Sequence, residues 1–389
     1  MITRNVLVMI TPPSLPRLNG IAHFARTHGW HLTLPDRLLH RLDGWRGDGA
    51  LVTLRDDPEQ LAFVRKLRRR GIPVVDLTVA RPEIRLPRVT GDHREIGRVA
   101  ARHFANRHFR HLAWFSTGWT NVHRLRYEGL CDIAGERPFR WVFTEAARGR
   151  GADDWRALVK WLGGQFAKVP KPLGVVTYDD TDATRVLDVA RQAGLAVPEE
   201  VAILGIGNDT FLCENQTVPI SSVVHDAERT GYEGAALLSR LMDGETAPVS
   251  PILIPPKGIA ERASTDLIAI SDPLLHRAVA YIASHIGESF GIAQIAAEFG
   301  VTTMRLHRLF AKEMHCRVGD EIRRQRLAKV RLMLENTRLP VGEIASAVGF
   351  THPAHLTNAF RKAIGLTPRA YRVQRRAKGV ESSGLPTAP

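Results

Sequence analysis

Two segments of the sequence carry side chains that can read the edges of DNA bases. In IASAVGFTHPAHLTNAFRKAIGLTPRAYR (344–372) an apolar stripe ends at Gly349, and Pro353 suits the first position of a second helix. The apolar face of that helix is formed by Leu356, Phe360 and Ile364. Its opposite face carries Ala354, His355, Thr357 and Asn358. Asparagine pairs with an adenine edge, and small residues let a helix approach the groove closely.

The stretch IAQIAAEFGVTTMRLHRLFAKEM (292–314) repeats this plan. One helix ends at Gly300, and Thr302 is predicted to be the N-cap of the next. The outer face of that helix carries Thr303, Met304, His307 and Arg308. Arginine can pair with a guanine edge, and the second helix of a helix-turn-helix enters the major groove. A solvated helix face could carry the same residues, but two copies in one basic segment favour base reading.

Polar side chains also follow two apolar strands in the front of the chain. TYDD ends one predicted strand, and GIGND ends the next. Because the carboxyl ends of parallel strands meet at one edge of a sheet, Asp179 and Asn208 are expected to converge on a crevice. Such a crevice suits a hydroxyl-rich or charged small molecule. Of the two adjacent carboxylates, Asp180 is predicted to cap the following helix.

Enzyme and metal chemistry find little support in the sequence. GIGNDT lacks the third glycine of a dinucleotide loop, and a G-x-S-x-G nucleophile motif is absent. His103, His108 and His111 have no carboxylate or cysteine partner at ligand spacing. The three cysteines are far apart, so neither a disulfide framework nor a CxxC metal site is predicted. We expect a protein that is not an enzyme, without a catalytic residue, metal or cofactor.

The elements that position these groups change character near residue 266. Before it, strand-like runs such as NVLVMI and VAILGI alternate with amphipathic helical stretches, which predicts parallel sheets with helices on both faces. Beyond it every segment has helical period, and the Arg-rich stretch 318–336 would hold the two helix-turn-helix units about one turn of DNA (~34 Å) apart. The predicted divisions are a ligand-sensing domain (1–265), a linker (266–274), a DNA-binding domain (275–377) and a disordered tail (378–389).

Charge is unevenly distributed along the 389 residues, whose net charge is +14. Residues 277–389 hold 18 Lys and Arg against 8 Asp and Glu, whereas the first 276 residues hold 36 against 32. The asymmetry favours a polyanion partner for the rear alone, although a basic solvated surface would give the same count. No run of 18 apolar residues is present, and the first apolar stretch is too short for a secretory signal. A cytoplasmic protein without a membrane partner is expected.

Residues 292–372 resemble the DNA-binding domain of the AraC family of transcription regulators. The resemblance rests on LHRLFAKE, RRQRLAKVRLMLENT, IASAVGFTHPAHLTNAFRKAIGLTPRAYR and the spacings between them. It implies an all-α domain with two helix-turn-helix units, whose second helices, starting near 302 and 353, enter consecutive major grooves. His352, His355 and Asn358 depart from the residues that are frequent in the family, and all three belong to the second unit.

Residues 1–265 resemble the periplasmic-binding-protein-like sensor domain of LacI-type regulators. The matching segments are GDHREIGRVAARHFANRHFRHLAWFS, RLRYEGL, the stretch 175–210 and PISSVVHDAERTGYEGAALLSRLMDG. The resemblance implies two Rossmann-like α/β lobes that close on a sugar or similar effector. Carried over by position, Arg126 would bind ligand hydroxyls or a carboxylate, and Asp179 and Asn208 would add hydrogen bonds. Gly207 and PPSLPRL (12–18) depart from the residues with which such sensors often hold sugars.

Together the two resemblances predict a sequence-specific DNA-binding transcription regulator that forms a homodimer. Its partners would be double-stranded DNA, a small-molecule effector of the sugar type and, as a candidate, RNA polymerase. The favoured interpretation is an activator of a catabolic operon that responds to xylose or a similar sugar. The alternatives are a repressor, a regulator that senses a non-sugar ligand, and a front domain that serves only dimerisation.

Overall fold

The computed structural model describes residues 3–11, 13–34, 44–144, 154–267, 272–288, 290–314 and 316–373. The chain divides into two compact units, Met1–Ala269 and Ile270–Pro389. The predicted fold class, an α/β front followed by a helical rear, is confirmed. The predicted linker 266–274 lies partly outside the described residues, and the predicted tail 378–389 lies entirely outside them. Within the described ranges no helix is long and apolar enough to cross a lipid bilayer.

Short segments rich in Val, Ile and Leu form the strands of the front unit, because branched side chains pack well on a pleated surface. The strands are β1 (Arg4–Met9), β2 (Trp30–Thr33), β3 (Gly49–Val52), β4 (Val74–Asp76), β5 (Val89–Gly91), β6 (His111–Ser116), β7 (Phe139–Val142), β8 (Leu173–Thr177), β9 (Val201–Ile206), β10 (Ser221–Val224), β11 (Ile252–Ile254) and β12 (Gly258–Ala260). They form a four-stranded sheet in the order β2-β1-β3-β4, a six-stranded sheet in the order β12-β10-β9-β8-β6-β7, and the pair β11-β5. Among these strands every pairing is parallel except that of β10 with β12.

Helices pack on the faces of these sheets. The four-stranded sheet and the six-stranded sheet, each with its helices, form the two lobes of the front unit. The helices are α1 (Leu15–Thr27), α2 (Pro58–Arg69), α3 (His93–Ala105), α4 (Asn121–Cys131), α5 (Trp155–Phe166), α6 (Asp180–Gln192), α7 (Thr210–Glu214) and α8 (Ala227–Met242). In the first lobe α1 and α8 pack on each other and on the four-stranded sheet. In the second lobe α3 and α4 pack on each other and on the six-stranded sheet. Each lobe therefore has a hydrophobic core of its own.

The described chain crosses between the lobes at three places. It passes from β5 to α3 at residues 91–93, from β10 to α8 at residues 224–227, and from β11 to β12 at residues 254–258. Asp92 and Asp226 cap the helices that follow the first two crossings, because each carboxylate accepts a hydrogen bond from a backbone N–H three residues on. The crossings bring strand ends and helix starts to one cleft between the lobes.

The rear unit contains two helix pairs joined by a long helix. Its helices are α9 (Pro273–Ser284), α10 (Ile292–Glu298), α11 (Thr303–Leu309) with a π-helical continuation (Phe310–Met314), α12 (Val318–Asn336), α13 (Val341–Ala347) and α14 (Pro353–Ile364). The pairs α10–α11 and α13–α14 coincide with the two predicted helix-turn-helix units. Gly300 and Gly349 lie in their turns at φ of 62° and 75°. These are left-handed conformations that favour glycine.

Helix α12 coincides with the Arg-rich stretch predicted to join the two pairs. Five apolar residues of this helix are at most 9% exposed: Val318, Ile322, Leu327, Val330 and Leu334. The last three share a core with Ile344 of α13 and with Leu356 and Phe360 of α14. Burial of an aliphatic or aromatic side chain of this size contributes about 1.5–3 kcal/mol. The apolar face of α12 therefore packs against the second helix pair.

Candidate DNA-reading surface and effector cleft

The outer face of α11 is exposed at all four positions predicted for base reading. Thr302 is the N-cap, as predicted: its side-chain oxygen accepts a hydrogen bond from the Arg305 N–H at 3.2 Å. Leu306 is fully buried and fixes the rotation of the helix about its axis. The exposed side chains are Thr303, Met304, His307 and Arg308. Sδ of Met304 lies 3.5 Å from Nη2 of Arg308, so these two side chains share one surface.

Helix α14 has three exposed residues and one half-buried residue at the predicted positions. Pro353 lies in its first turn, and Gly365 ends it in the left-handed region at φ 82°. The exposed residues are Ala354, His355 and Asn358. Thr357 is half-buried, and its hydroxyl donates a hydrogen bond to the Pro353 carbonyl at 3.0 Å. The Thr357 hydroxyl is thus bonded within its own helix, and the other three residues form the outer face.

Arg326 of α12 connects the turn of the second pair to the segment before the first. Its Nη2 donates a hydrogen bond to the Glu288 carbonyl at 2.8 Å. Its guanidinium lies 5.6 Å and 5.8 Å from the ring centroids of Phe290 and Phe350. A Cβ atom at Gly349 would come within 2.7 Å of Arg326 Nη2 and 2.6 Å of the Glu288 carbonyl oxygen. Close approach and positive φ both require glycine in this turn.

In the front unit, Arg126 of α4 lies in the cleft between the lobes, with only 6% of its surface exposed. Its Nη1 donates a hydrogen bond to the Tyr178 carbonyl, and its Nε lies 3.4 Å from Nδ1 of His93. The guanidinium also lies 4.9 Å from the centroid of the Tyr178 ring. Burial lowers the pKa of Arg126, and the nearby Tyr178, Asp179 and Asp180 oppose that effect. No described residue accepts a hydrogen bond from Nη2, which leaves that nitrogen available to a ligand.

An aromatic stack supports the Tyr178 side of the cleft. The His123 ring lies on the Tyr178 ring with 3.7 Å between centroids and 14° between planes. Nδ1 of His123 lies 2.7 Å from Oγ1 of Thr120, at the start of α4. Burial, and to a smaller extent the charge of Arg126, lowers the pKa of His123 to about 3. The imidazole is therefore neutral near pH 7 and packs without adding a charge.

Asp179, which lies just after β8, caps α6: its carboxylate accepts a hydrogen bond from the Asp182 N–H at 2.8 Å. The prediction that Asp180 is this cap is wrong. Asp180 is 3% exposed and accepts hydrogen bonds from Ser222 Oγ at 2.6 Å and from the Asp209 N–H at 2.7 Å. Burial raises the pKa of Asp180, and these hydrogen bonds oppose the rise. Because neighbouring strand ends bind the Asp180 carboxylate, the helix starts one residue earlier than predicted.

Asn208, which follows the adjacent strand β9, has a positive φ of 59°. Its N–H donates a hydrogen bond to Ser222 Oγ at 2.9 Å, and its Oδ1 accepts one from Arg262 Nη2 at 2.9 Å. Of the three predicted ligand residues, Arg126 and Asp179 therefore lie beside the end of β8. The amide oxygen of Asn208, at the next strand end, is bonded to Arg262.

Three further residues of the cleft were missed by the sequence analysis: Arg17, His93 and His225. Arg17 lies in the first turn of α1, and His93 and His225 lie at the first two crossings between the lobes. Burial, followed by the charges of Arg126, His225 and Arg17, lowers the pKa of His93 well below its usual value. Burial, followed by Arg126 and Arg17, lowers the pKa of His225 to about 3. These groups therefore lie near one another.

A local signal for the two histidines exists in the sequence. TGDHRE and VVHDAE both place an Asp–His or His–Asp pair directly between a strand and a helix. In each segment the aspartate caps the helix, so the adjacent histidine is held at a fixed point of the crossing. Arg17 lies in PPSLPRL (12–18), a segment in which such sensors often hold sugars, but the sequence does not indicate which groups its side chain faces.

Metal-binding clusters of three or more His, Cys, Asp or Glu groups are absent from the part of the chain that the structure describes. The buried His103 instead lies with Nε2 at 2.9 Å from Thr265 Oγ1 and with Nδ1 at 3.1 Å from Arg107 Nη1. Burial, followed by the charge of Arg107, lowers the pKa of His103 to about 3. His103 thus links α3 to the segment near residue 265. The three cysteines are free thiols.

Comparison with known proteins agrees with this two-part description. Residues 101–265 match the family described as the periplasmic binding protein-like domain, and residues 295–374 match that described as the helix-turn-helix domain. The xylose operon regulatory protein of Escherichia coli K12 is 25% identical over 355 residues, which cover 88% of this chain and 89% of that protein.

Solved structures extend the likeness along the chain. A structure of the xylose-binding transcription activator xylR matches with a TM-score of 0.58 at 22% identity, covering 96% of this chain and 99% of that one. A LacI family regulator from Enterococcus faecalis with bound ribose matches with a TM-score of 0.55 at 18% identity, covering 67% of this chain and 98% of that one. The chain thus has the fold of a periplasmic binding protein-like domain followed by a helix-turn-helix domain.

Proposed function

We infer that this chain, a DNA-binding transcription regulator in which a periplasmic binding protein-like domain precedes a helix-turn-helix domain, responds to an effector of the sugar type. The observation that carries the proposal is the presence of two kinds of site in one chain. A cleft around the buried Arg126 suits a small polar ligand, and two exposed second helices suit duplex DNA.

In this proposal α11 and α14 read bases in consecutive major grooves. On α11, Arg308 pairs with a guanine edge, and Thr303, Met304 and His307 contact the neighbouring positions. On α14, Asn358 pairs with an adenine edge, and Ala354, His355 and Thr357 allow close approach. Arg326 and the buried face of α12 fix the spacing of the two helices.

In the front domain the effector binds Arg126 and is further held by Asp179 and Asn208. Xylose is the sugar named for the relatives, and a sugar of that class is the proposed effector here. Closure of the two lobes on the ligand changes the arrangement of a homodimer and thereby its occupancy of DNA. We propose that the regulator acts in the cytoplasm as an activator that contacts RNA polymerase at a catabolic promoter, and that it catalyses no reaction.

The test uses the full chain and a random duplex library. Repeated selection for bound DNA identifies an operator, and fluorescence anisotropy then measures its Kd with and without pentoses, hexoses and sugar acids. The proposal expects one selected sequence family with two half-sites, and one effector class that changes the Kd. An Arg308→Ala variant should lose selectivity at one base position, whereas Arg191→Ala, an exposed change in the front unit, should retain it.

Each alternative gives a different result in this test. Binding without sequence preference would contradict base reading by α11 and α14. Sequence-specific binding that no sugar or sugar acid alters would favour a non-sugar ligand or a front domain used only for dimerisation. An effector that releases DNA and raises transcription in a reporter assay would identify a repressor instead of an activator.

A further inference from the structure

Two arginines face the cleft from opposite lobes, and neither forms an ion pair with a described residue. Arg17 belongs to α1 of the first lobe, and Arg126 belongs to α4 of the second. The Nε of Arg17 is withdrawn from solvent and has no hydrogen-bond partner in the described part of the chain. Burial lowers the pKa of Arg17, and the positive charge of Arg126 lowers it further, against the opposing effects of Tyr178 and Asp76.

The carboxylates nearest to these arginines are bound to other groups. Asp76 accepts a hydrogen bond from Arg88 Nε at 3.0 Å and is buried together with it. Asp179 accepts from the N–H of Asp182, and Asp180 accepts from a serine hydroxyl and a backbone N–H. Among the described residues none of these carboxylates lies within hydrogen-bond distance of Arg17 or Arg126, so neither guanidinium has a paired carboxylate in the cleft.

The two histidines of the cleft, His93 and His225, carry no charge near pH 7. Burial is the main cause of the lowered pKa values of His93 and His225. Nε2 of His93 lies 3.2 Å from Thr90 Oγ1, and its Nδ1 faces Arg126. Neutral imidazoles donate and accept hydrogen bonds as sugar hydroxyls do. Both ring nitrogens of His93 already have partners, so His225 is the neutral imidazole that can bind a ligand hydroxyl beside the two cationic groups.

We propose that the cleft selects an anionic polyol, a sugar that carries a carboxylate or a phosphate, with its oxyanion between Arg17 and Arg126 and its hydroxyls toward His225. This inference rests on the proposed effector-binding function and narrows its ligand class. A guanidinium binds two oxygens of a carboxylate or phosphate through parallel, charge-assisted hydrogen bonds, and a neutral hydroxyl cannot reproduce them. Because the two arginines belong to different lobes, the oxyanion also draws the lobes together.

The backbone of α1 adds to this selectivity. Arg17 lies in the first turn of the helix, and the N-cap residue Ser14 makes no side-chain hydrogen bond to it. The N-terminus of a helix of this length carries a partial positive charge, which favours an anion near its first turn. No acidic side chain occupies that turn. The N-terminus of α1 and the Arg17 side chain therefore both favour binding of an anion.

Isothermal titration of the full chain with matched ligands tests the inference. The pairs are glucose with glucuronate and galactose with galacturonate, which keep the pyranose ring, and glucose 6-phosphate and inorganic phosphate complete the set at constant ionic strength. At least one charged sugar should bind about 100-fold more tightly than its neutral partner, because its oxyanion can form charge-assisted hydrogen bonds with guanidinium groups that have no paired carboxylate. Comparison of glucuronate and galacturonate with glucose 6-phosphate distinguishes a carboxylate from a phosphate. Inorganic phosphate alone should bind weakly, since it lacks the sugar hydroxyls that would contact His225.

Two variants of Arg17 assign the effect to this residue. Arg17→Gln removes the charge and should reduce affinity for the preferred anionic sugar about 30- to 100-fold, while affinity for the neutral sugar changes little. Arg17→Lys keeps the charge but loses the paired hydrogen bonds, so it should lose about 10-fold. Melting of each variant without ligand checks that it is folded, and the lysine variant serves as the test if the glutamine variant is not.

Failure of this inference differs from failure of the proposed function. A neutral sugar that binds as tightly as its acid, and alters the Kd for operator DNA, would overturn the anionic ligand class and leave a sugar-responsive regulator. An unchanged ratio of anionic to neutral affinity in both Arg17 variants would also overturn the role of Arg17. If none of these ligands binds and DNA occupancy never changes, the sugar-responsive function itself is wrong, and this inference with it.

Discussion

Positively charged groups occupy opposite environments in the two units. In the front unit Arg126 is 6% exposed and lies against Tyr178 and His93. In the rear unit Arg305 and Arg308 are exposed on the short helix α11. A buried charge interacts strongly over a few ångströms, because little water separates it from its neighbours. An exposed charge is screened within about 8–10 Å by physiological salt.

This difference suits the two units to different ligands. The cleft can recognise one small molecule whose charged and polar atoms match a fixed set of groups. The outer face of α11 can contact a long polyanion, for which many weak charge interactions add and depend on salt. The comparison predicts that changes in the rear core, in pH, at one base-reading side chain and at one exposed arginine will affect the two units differently.

Removal of the Phe360 ring should have the largest effect and should be confined to the rear unit. Phe360 is fully buried between α12, α13 and α14, so Phe360→Ala should lower the free energy of unfolding of that unit by about 3–5 kcal/mol. Hydrogen exchange of the full chain, measured peptide by peptide, reports each unit separately. Phe211→Ala is the matched control, because Phe211 is 75% exposed and its loss should cost little. Equal loss of protection in both units would contradict their independence.

Acid should destabilise the front unit more than the rear. Burial is the main cause that lowers the pKa of His103, His123 and His225 to about 3. Since the folded state binds fewer protons at these groups than the unfolded chain does, their contribution to stability is present above pH 6.5 and is lost as the pH falls. Burial also raises the pKa of Asp76 and Asp182 to about 6, which favours the folded state as the pH falls from 6 to 4.

The histidines outnumber these two carboxylates, so the front unit should lose about 2–3 kcal/mol between pH 6.5 and pH 5. Hydrogen exchange, corrected for the intrinsic rate at each pH, measures the loss. The rear unit should lose less, because none of the histidines whose burial is described in that unit is buried. Equal losses in the two units would show that the buried imidazoles of the front do not set its acid sensitivity.

Loss of one base-reading side chain should change specificity without changing stability. Arg308→Ala should cost about 1–3 kcal/mol of discrimination at one base pair of the selected operator, measured as the ratio of Kd values for matched and substituted duplexes. The side chain is exposed, so the melting temperature should stay near that of the unchanged protein. A Kd ratio that the change leaves intact at every position would remove Arg308 from the base-reading set.

Helical periodicity predicted the rear unit well, because its helices and caps depend mainly on residues that are close in the sequence. The buried residues Leu356 and Phe360 of α14 and the cap at Thr302 each depend on residues within a few turns, and both features were predicted correctly. The cleft was predicted only in part. Arg126 was predicted from a family resemblance. Arg17 comes near Arg126 only when both lobes have folded, because the two residues belong to different lobes.

Contacts between distant parts of the chain also explain why the N-cap of α6 is Asp179 and not Asp180. Both residues are aspartates, and either one satisfies the local preference for an N-cap. Ser222 and Asp209, which are distant in the sequence, bind the Asp180 carboxylate and so decide between them. The sequence therefore predicts an N-cap when it depends on residues of its own helix. It does not predict one that depends on residues of neighbouring strands.

The smallest expected effect concerns Arg305, which is exposed at the start of α11. If it contacts phosphate and not a base, Arg305→Ala should weaken binding to all duplexes by a similar factor. It should also reduce the slope of log Kd against log salt by about 1, because one fewer counterion is released. Arg191→Ala removes the same charge from the front unit and should leave the slope unchanged.

Sugar binding to the cleft should depend far less on salt, since water does not reach its arginines freely. A salt slope for effector binding as steep as that for DNA would contradict the distinction between a buried and an exposed cationic site.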